Sequence, residues 1–212
     1  NALASYRNSY PANAAKLNYI YYHMSYPYPD DPLNQANTAD PQARNQYYGP
    51  FTSTPRAFFR GALQTNSYGS WPNALNSAVA EDSPLEITLH GTVTGSDGTL
   101  QAVIKRTGNI TATDLVVHVA LVENLMYAGR NGISNHTNVL RKLVTGGSGE
   151  SFTIGAGETK TVEKGLTLNS SWVADSVGVI VFVQSTSTKE VYQSEYKRFT
   201  QLTPATGIED EG

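Results

Sequence analysis

The second half of this chain alternates apolar and polar residues with a period of two, and this pattern restricts its fold more than any other feature. Leu85, Ile87 and Leu89 alternate with polar neighbours, and turn sequences such as Ser96-Asp97-Gly98 separate later segments of the same kind. Successive side chains of a strand point to opposite faces, so the pattern predicts strands with a buried face. Besides the strand starting at Leu85, the predicted strands are 100–106, 115–124, 139–144, 151–154, 161–168, 177–184 and 190–199.

Many short strands separated by turns predict one antiparallel sandwich of seven or eight strands over residues 85–200. A shift of one residue in register would turn the apolar set to solvent, so the inner-face residues can be predicted individually. They are Leu85, Ile87, Leu89, Leu115, Val117, Val119, Val179, Val181 and Val183. Residues 115–122 are apolar on both faces, which is typical of a central strand.

Residues 1–83 are aromatic and proline-rich, and they predict the order helix, strand, helix, strand, strand, helix. Ser83-Pro84 is the predicted domain boundary, because the residue before a proline is disfavoured in helices. Residues 84–202 then form the sandwich, and residues 203–212 are a linker or tail. The predicted elements of the first half are a helix over 2–17 interrupted at Tyr10-Pro11, a strand over 18–24, a loop over 26–32, a helix from Asp40-Pro41 to Tyr48, a strand over 56–60, a return strand from Leu63 and a helix over 71–80.

Composition excludes several classes of protein. The chain has no cysteine, so disulfide scaffolds, cysteine metal sites and cysteine nucleophiles are excluded. Its 15 Lys and Arg against 18 Asp and Glu give a net charge of −3, which argues against a nucleic-acid partner held by a basic surface. The most apolar run, residues 177–183, is too short to be a transmembrane segment.

Several motifs resemble the Omp28-related outer-membrane proteins, in the same order along both halves. They are Tyr28-Pro29-Asp30-Asp31-Pro32 after His23, Arg44 with Tyr47-Tyr48-Gly49, Thr54-Pro55-Arg56-Ala57-Phe58-Phe59-Arg60-Gly61, Val119-Ala120-Leu121-Val122-Glu123-Asn124, Asn135-His136-Thr137-Asn138-Val139-Leu140-Arg141, and Lys189-Glu190-Val191-Tyr192-Gln193. The motifs are specific together and weak singly.

The resemblance implies an α+β chain: a truncated thioredoxin-like α/β domain over 1–83, then an antiparallel immunoglobulin-like β-sandwich over 84–202. It further implies export by type IX secretion to the extracellular or outer-membrane surface of a Gram-negative bacterium. The tail is similar to the linker before a sorting domain, and it also fits an ordinary frayed acidic tail. This sequence lacks the first strand and the Cys-x-x-Cys motif of a thioredoxin-like domain. The resemblance therefore does not imply redox activity for this chain. Pro55 stands where that fold has a cis-proline, so a cis Thr54-Pro55 bond is expected.

The missing first strand would lie between residues 18–24 and 56–60. If that strand position were empty, backbone groups of both neighbouring strands would lack hydrogen-bond partners. Each buried, unpaired group costs about 1–3 kcal/mol of stability, so we expect the position to be filled. An upstream segment, closure of the sheet or a strand from a neighbouring subunit could fill it, and the last is preferred. Residues 208–212 are a poor donor strand, because they are short, charged and nearly free of β-formers.

No arrangement of residues predicts catalysis, a cofactor or a metal site. His23 with Asp30 and Asp31 could bind a metal, but a proline-rich loop separates them, so anchoring of that loop by hydrogen bonds is favoured. His118 lies in an apolar strand and is predicted to be a core or interface histidine.

Tyrosines are the residues most suited to recognition. Tyr26, Tyr28, Tyr47 and Tyr48 are candidate interface residues, whereas Tyr19, Tyr21 and Tyr22 are better explained as filling the faces of a sheet. Asp175-Ser176-Val177 resembles a short O-glycosylation pattern, which makes Ser176 a candidate glycosylation site.

The sequence therefore predicts a secreted, non-catalytic structural protein that assembles with itself, with fibres as one form of assembly. A surface module that binds a glycan or peptide is the first alternative. A truncated or degenerate thiol oxidoreductase is the second, although this chain has no thiol.

Overall fold

The computed structural model describes residues 2–129 and 132–205, which form a mixed α/β fold with antiparallel sheets. Its helices are α1 Ala2–Ser9, α2 Pro11–Ala14, α3 Pro32–Gln35, α4 Ala39–Tyr48 and α5 Trp71–Ala80. Its strands are β1 Phe58–Phe59, β2 Ala62–Leu63, β3 Leu85–Thr94, β4 Asp97–Arg106, β5 Leu115–Met126, β6 Asn135–Leu143, β7 Glu150–Ser151, β8 Thr159–Thr167, β9 Val177–Ser185 and β10 Val191–Arg198.

Two antiparallel sheets form the second half of the chain. One has the order β10-β9-β5-β6, with β7 also paired to β5, and the other has the order β3-β4-β8. Residues of both sheets share one apolar core, so the sheets pack face to face. The prediction of an antiparallel sandwich with seven or eight strands is confirmed, because these strands number eight.

The predicted inner-face residues are also confirmed. Every one of the nine is buried and belongs to the shared core of the two sheets. Phe199 and Leu202, which follow β10, complete this core. The alternation of apolar and polar residues along β3 therefore determines which of its faces meets the other sheet.

The outer face of the five-stranded sheet is apolar as well. Ala120, Val122, Ile180 and Phe182 point away from the shared core and form a second buried cluster with residues of β6. Ile20, Tyr22 and other partly buried side chains pack against this cluster. Residues 2–83 thus lie as a cover on the sandwich, and we call them the cover below.

The cover differs from the thioredoxin-like sheet that the resemblance implies. The predicted strand over 18–24 is wrong, since only Tyr21 forms a bridge, parallel to Val139 of β6. The predicted strand over 56–60 shortens to β1, which pairs with β2 around Arg60-Gly61. Each segment also bonds to the sandwich: Tyr21 pairs with strand β6, and the Arg60 carbonyl oxygen accepts from the Val191 amide.

Other local predictions hold with small shifts. Helix α4 begins at Ala39 rather than at Asp40, because the Asp40 carboxylate accepts from the Leu143 amide at 2.7 Å instead of capping the helix. Helix α5 has its predicted bounds, and the break between α1 and α2 falls at Tyr10. The Thr54-Pro55 peptide bond is cis, as are Tyr26-Pro27 and Gly49-Pro50.

Candidate functional site

A cleft of about 1390 Å³ separates part of the cover from the sheet beneath it. One wall is the extended segment 18–24, and the other is made by β1 and helix α5. Its floor is formed by side chains of β9 and β10, including Phe182 and Val191. The cleft therefore lies where the sequence predicts an empty strand position, between residues 18–24 and 56–60.

Both walls of the cleft carry extended backbone with an open side. The amide and carbonyl groups of Tyr21 bond to Asn138 and Leu140 of the sandwich. Those of Ile20 and Tyr22 point the opposite way in extended backbone, and among the described residues they have no backbone partner. On the other wall, β1 pairs within the described chain with β2 alone. Both walls of the cleft therefore present extended backbone that is paired on one side only among the described residues.

Aromatic rings line much of the cleft. Tyr48 stacks on Phe58 with ring centroids 4.1 Å apart, and Phe58 also contacts Phe51 at 5.8 Å. Phe59 meets Trp71 edge to face at 5.4 Å. These rings offer an apolar, shape-specific surface of the kind that binds proteins or sugars.

The predicted interface tyrosines fall into different environments. Tyr26 and Tyr48 line the cleft, and the Tyr26 hydroxyl donates to the Phe51 carbonyl oxygen at 2.6 Å. Tyr47 lies outside the cleft and donates to the Ser185 carbonyl oxygen at 3.0 Å, so it fixes α4 to the sheet. Tyr28 is exposed on the proline-rich loop. The structure therefore brings only two of the four to one surface.

A buried polar cluster lies at one end of the cleft, where α4 meets the sheet. The Arg44 guanidinium donates to Gln184 Oε1 at 2.8 Å and to the Tyr48 hydroxyl at 3.1 Å. It also contacts His118 Nε2 at 3.3 Å, and the His118 ring stacks on Phe182. Burial, and then the neighbouring Arg44 charge, lower the pKa of His118 to about 3. His118 is thus a neutral acceptor, as its predicted core position requires.

We expect this histidine to make folding sensitive to acid. Between about pH 6.5 and pH 3 the unfolded chain binds a proton at His118 that the folded chain does not, so stability falls as pH falls. The expected slope is about 1.4 kcal/mol per pH unit. Urea unfolding of His118→Gln from pH 7 to pH 4 should show a smaller slope than the wild type. Val119→Ala is the control: it removes apolar contacts from the same strand but no titratable group, so it should lower stability and keep the wild-type slope. Equal slopes for all three proteins would contradict the assignment.

His23 and Asp31 form a local anchor. His23 Nδ1 lies 2.8 Å from Asp31 Oδ2, while Asp31 Oδ1 accepts from the Leu33 amide at the start of α3. The Asn34 side chain donates to the His23 carbonyl oxygen at 2.8 Å. In the part of the chain that the structure describes, no group of three or more acidic or histidine side chains is arranged to hold a metal. The contacts are those of the predicted loop anchor.

Ser176 lies away from the cleft, in the turn before β9. It borders a shallow depression together with Glu123 and Arg141. Glu123 is buried, and its Oε2 lies 3.3 Å from Arg141 Nε. Modification of Ser176 remains a prediction.

The features missed by sequence reasoning are the buried polar residues Arg44 and Gln184, and Phe182 on the floor of the cleft. Arg44 was missed because a charged residue on a short helix is ordinarily exposed. Gln184 was missed because a polar residue near the end of an apolar strand forms no distinctive sequence pattern. One available signal was the spacing of Arg44 and Tyr48, which places both on one face of α4.

The fold and cleft define a class of mixed α/β proteins in which a cover of helices and loops packs on an antiparallel sandwich. HBP35 of Porphyromonas gingivalis has a similar structure, with a TM-score of 0.65 and 15% sequence identity. The match covers 84% of this chain but only 63% of that chain. A domain of the outer membrane lipoprotein Omp28 from Porphyromonas gingivalis matches at 21% identity over 59% of this chain and 93% of that chain, with a TM-score of 0.40.

Residues 42–200 match the family model of outer membrane protein Omp28, and the chain belongs to this family. The resemblance stated from the sequence motifs is thereby confirmed, as is the predicted location at the outer-membrane surface. None of the curated proteins matches this chain. Among residues 2–129 and 132–205, no helix is both long and apolar enough to cross a membrane.

Proposed function

We propose that this protein is a non-catalytic structural subunit of the outer-membrane surface that assembles with copies of itself. The proposal includes the finer predictions of export by type IX secretion and of a fold made of a truncated thioredoxin-like domain followed by an immunoglobulin-like sandwich.

The cleft with open backbone on both walls is the observation that carries this proposal. The backbone groups of Ile20 and Tyr22, which have no backbone partner among the described residues, border the cleft and are available to pair with a strand that enters it. An extended segment from a neighbouring molecule would supply partners for them and for the open side of β1. Strand addition of this kind is a general mode of protein association.

Insertion of a segment into a cleft joins two different surfaces. Contacts of that type need not close into a ring, and repeated insertion produces an open chain of subunits. This geometry supports the fibre-forming version of the proposal better than a symmetric dimer.

A binding module for a glycan or peptide is the second candidate function. It is favoured by the rings of Tyr48, Phe58 and Trp71 in and around the cleft, since flat aromatic faces stack well on sugars. The two candidates use the same cleft and differ in what occupies it.

Purified full chain should be studied by light scattering after size exclusion and by negative-stain electron microscopy over a range of concentrations. Assembly predicts particles larger than the 22.9 kDa monomer that grow with concentration. Val79→Arg, on the cleft side of α5, should block growth, whereas Ser77→Arg on the exposed side of the same helix should not. A monomer at every concentration that binds a glycan saturably, and loses it in Val79→Arg, would favour the binding module instead.

A further inference from the structure

Arg44 is a buried cation without a counter-charge. It is 3% exposed, and no carboxylate in the described chain lies within ion-pair distance of its guanidinium. The Tyr22 hydroxyl lies beside the guanidinium, and the rings of Tyr47, Tyr48 and Phe182 pack against it; none of these groups is charged. The hydrogen-bond partners are neutral as well: His118 Nε2, the Gly147 carbonyl oxygen, the Tyr48 hydroxyl and Gln184 Oε1. These hydrogen bonds use the two terminal nitrogens of the guanidinium, and they do not neutralise its charge. A buried charge is ordinarily paired, so the structure points to an anionic group from elsewhere.

The free donor of Arg44 identifies where that group would bind. Its Nε is buried and has no hydrogen-bond partner among the described residues, and Arg44 lines the cleft. The nearest acid along α4, Asp40, is already used by the Leu143 amide at 2.7 Å and by the Asn37 side chain at 2.8 Å. The counter-charge must therefore arrive with whatever occupies the cleft.

We propose that the occupant is the acidic tail of a second copy, residues 203–212, with one of its carboxylates bound to Arg44. The tail offers the apolar side chain of Ile208 followed by Glu209, Asp210 and Glu211. Its shortness and charge make it a poor strand for a whole sheet, but the cleft exposes few unpaired backbone groups and contains a cation. This inference rests on the proposed self-assembly and names the segment that mediates it.

The position of the tail makes this contact intermolecular. Strand β10 begins at Val191, which pairs with Gln184 beside Arg44; its residues line the cleft as far as Glu195, and the strand ends at Arg198. Beyond Phe199 and Leu202, the Thr203 carbonyl oxygen accepts from the Gly91 amide of β3, so the tail starts a strand length, about 25 Å, from the Arg44 of its own molecule. The cleft of a neighbouring molecule is open to it, and the charges are complementary.

Direct binding of a tail peptide tests the proposal. The probe is the decapeptide of residues 203–212 with a fluorophore at its N-terminus and an amidated C-terminus. The receptor is the full chain carrying Glu209→Gln, Asp210→Asn and Glu211→Gln, whose own tail no longer competes. We expect saturable binding, weakened about tenfold or more by Arg44→Met and by neutralising the three acids of the peptide. Lys105→Gln, an exposed cation on β4, is the matched control and should change nothing.

Equal affinity of the acidic and neutral peptides would overturn the proposal, and this comparison holds even if Arg44→Met fails to fold. Binding of an acidic oligosaccharide at Arg44 without binding of the peptide would overturn it too.

Assembly has a separate readout. If the chain with the neutral tail assembles as the wild type does, the tail is not the inserted segment, although self-assembly stands. If the wild type stays monomeric while the peptide binds through Arg44, the cleft recognises the tail and self-assembly of the full chain is wrong.

Discussion

Replacing Arg141 with methionine is expected to lower the free energy of unfolding by about 3–5 kcal/mol, because it leaves the buried Glu123 carboxylate without its counter-charge. The Glu123 side chain is only 5% exposed, and its Oε2 lies 3.3 Å from Arg141 Nε. Glu123 Oε1 accepts from the Val173 amide at 2.9 Å, and Arg141 also lies over the Trp172 ring. Without the guanidinium, Glu123 keeps its burial but loses its counter-charge. Urea unfolding at neutral pH measures the loss.

Two comparisons make this test specific. Adding Glu123→Gln to Arg141→Met should restore much of the stability, since the double variant no longer buries an unpaired charge. Lys164→Met, which breaks the more exposed ion pair with Glu150, should cost less than about 1 kcal/mol. A loss for Arg141→Met no larger than that for Lys164→Met would show that the pair near Ser176 contributes little.

The sandwich could be predicted from sequence because its signal is local and repeated. In β3 every second residue from Leu85 to Leu89 is buried, and the intervening positions Glu86 and Thr88 are exposed. A strand with one buried face carries its own register in this alternation. Strands β5 and β9 lack that signal because both of their faces are buried. Their continuous apolar runs indicated central strands, and the cover explains what buries the second face.

The cover could be predicted only in part. Helix α5 is found where its sequence places it, but the β-prone residues 18–24 form no strand beyond the bridge at Tyr21. Propensity favours an extended backbone, and a strand also needs a neighbour with free backbone groups. At Tyr21 that neighbour is β6, more than a hundred residues further along the chain, and no local pattern reveals it.

The buried cluster at Arg44 shows the same limit. His118 was correctly predicted to lie in the core, yet its partner Arg44 is 74 positions away in sequence. Each residue looks ordinary in its own segment, and only the packing of α4 on the sheet brings them together. Sites assembled from distant segments depend on tertiary contacts that composition and spacing do not encode.

Replacing Phe182 with alanine is expected to loosen the cover while leaving the sandwich folded. The ring forms part of the cleft floor, stacks on His118 with centroids 4.6 Å apart and lies 5.8 Å from the Arg44 guanidinium carbon. It belongs to the outer apolar cluster on which Ile20 and Tyr22 pack. Losing a buried aromatic ring costs about 3–5 kcal/mol, and here that loss falls on the contact between cover and sheet. Hydrogen exchange should therefore rise most in residues 18–24 and 39–48.

Val181→Ala is the matched control, because Val181 is the adjacent residue of β9 and points into the shared core of the two sheets. Its loss of about 2 kcal/mol or more should raise hydrogen exchange in both sheets together, including residues 85–106, since the core holds the sheets to each other. The two variants should thus give different exchange maps from neighbouring positions. If Phe182→Ala raises exchange in the sandwich as much as in the cover, then the cover and the sheets unfold as one unit. The cleft would then be a fixed part of the sandwich, and a segment would have to enter it without any opening of the cover.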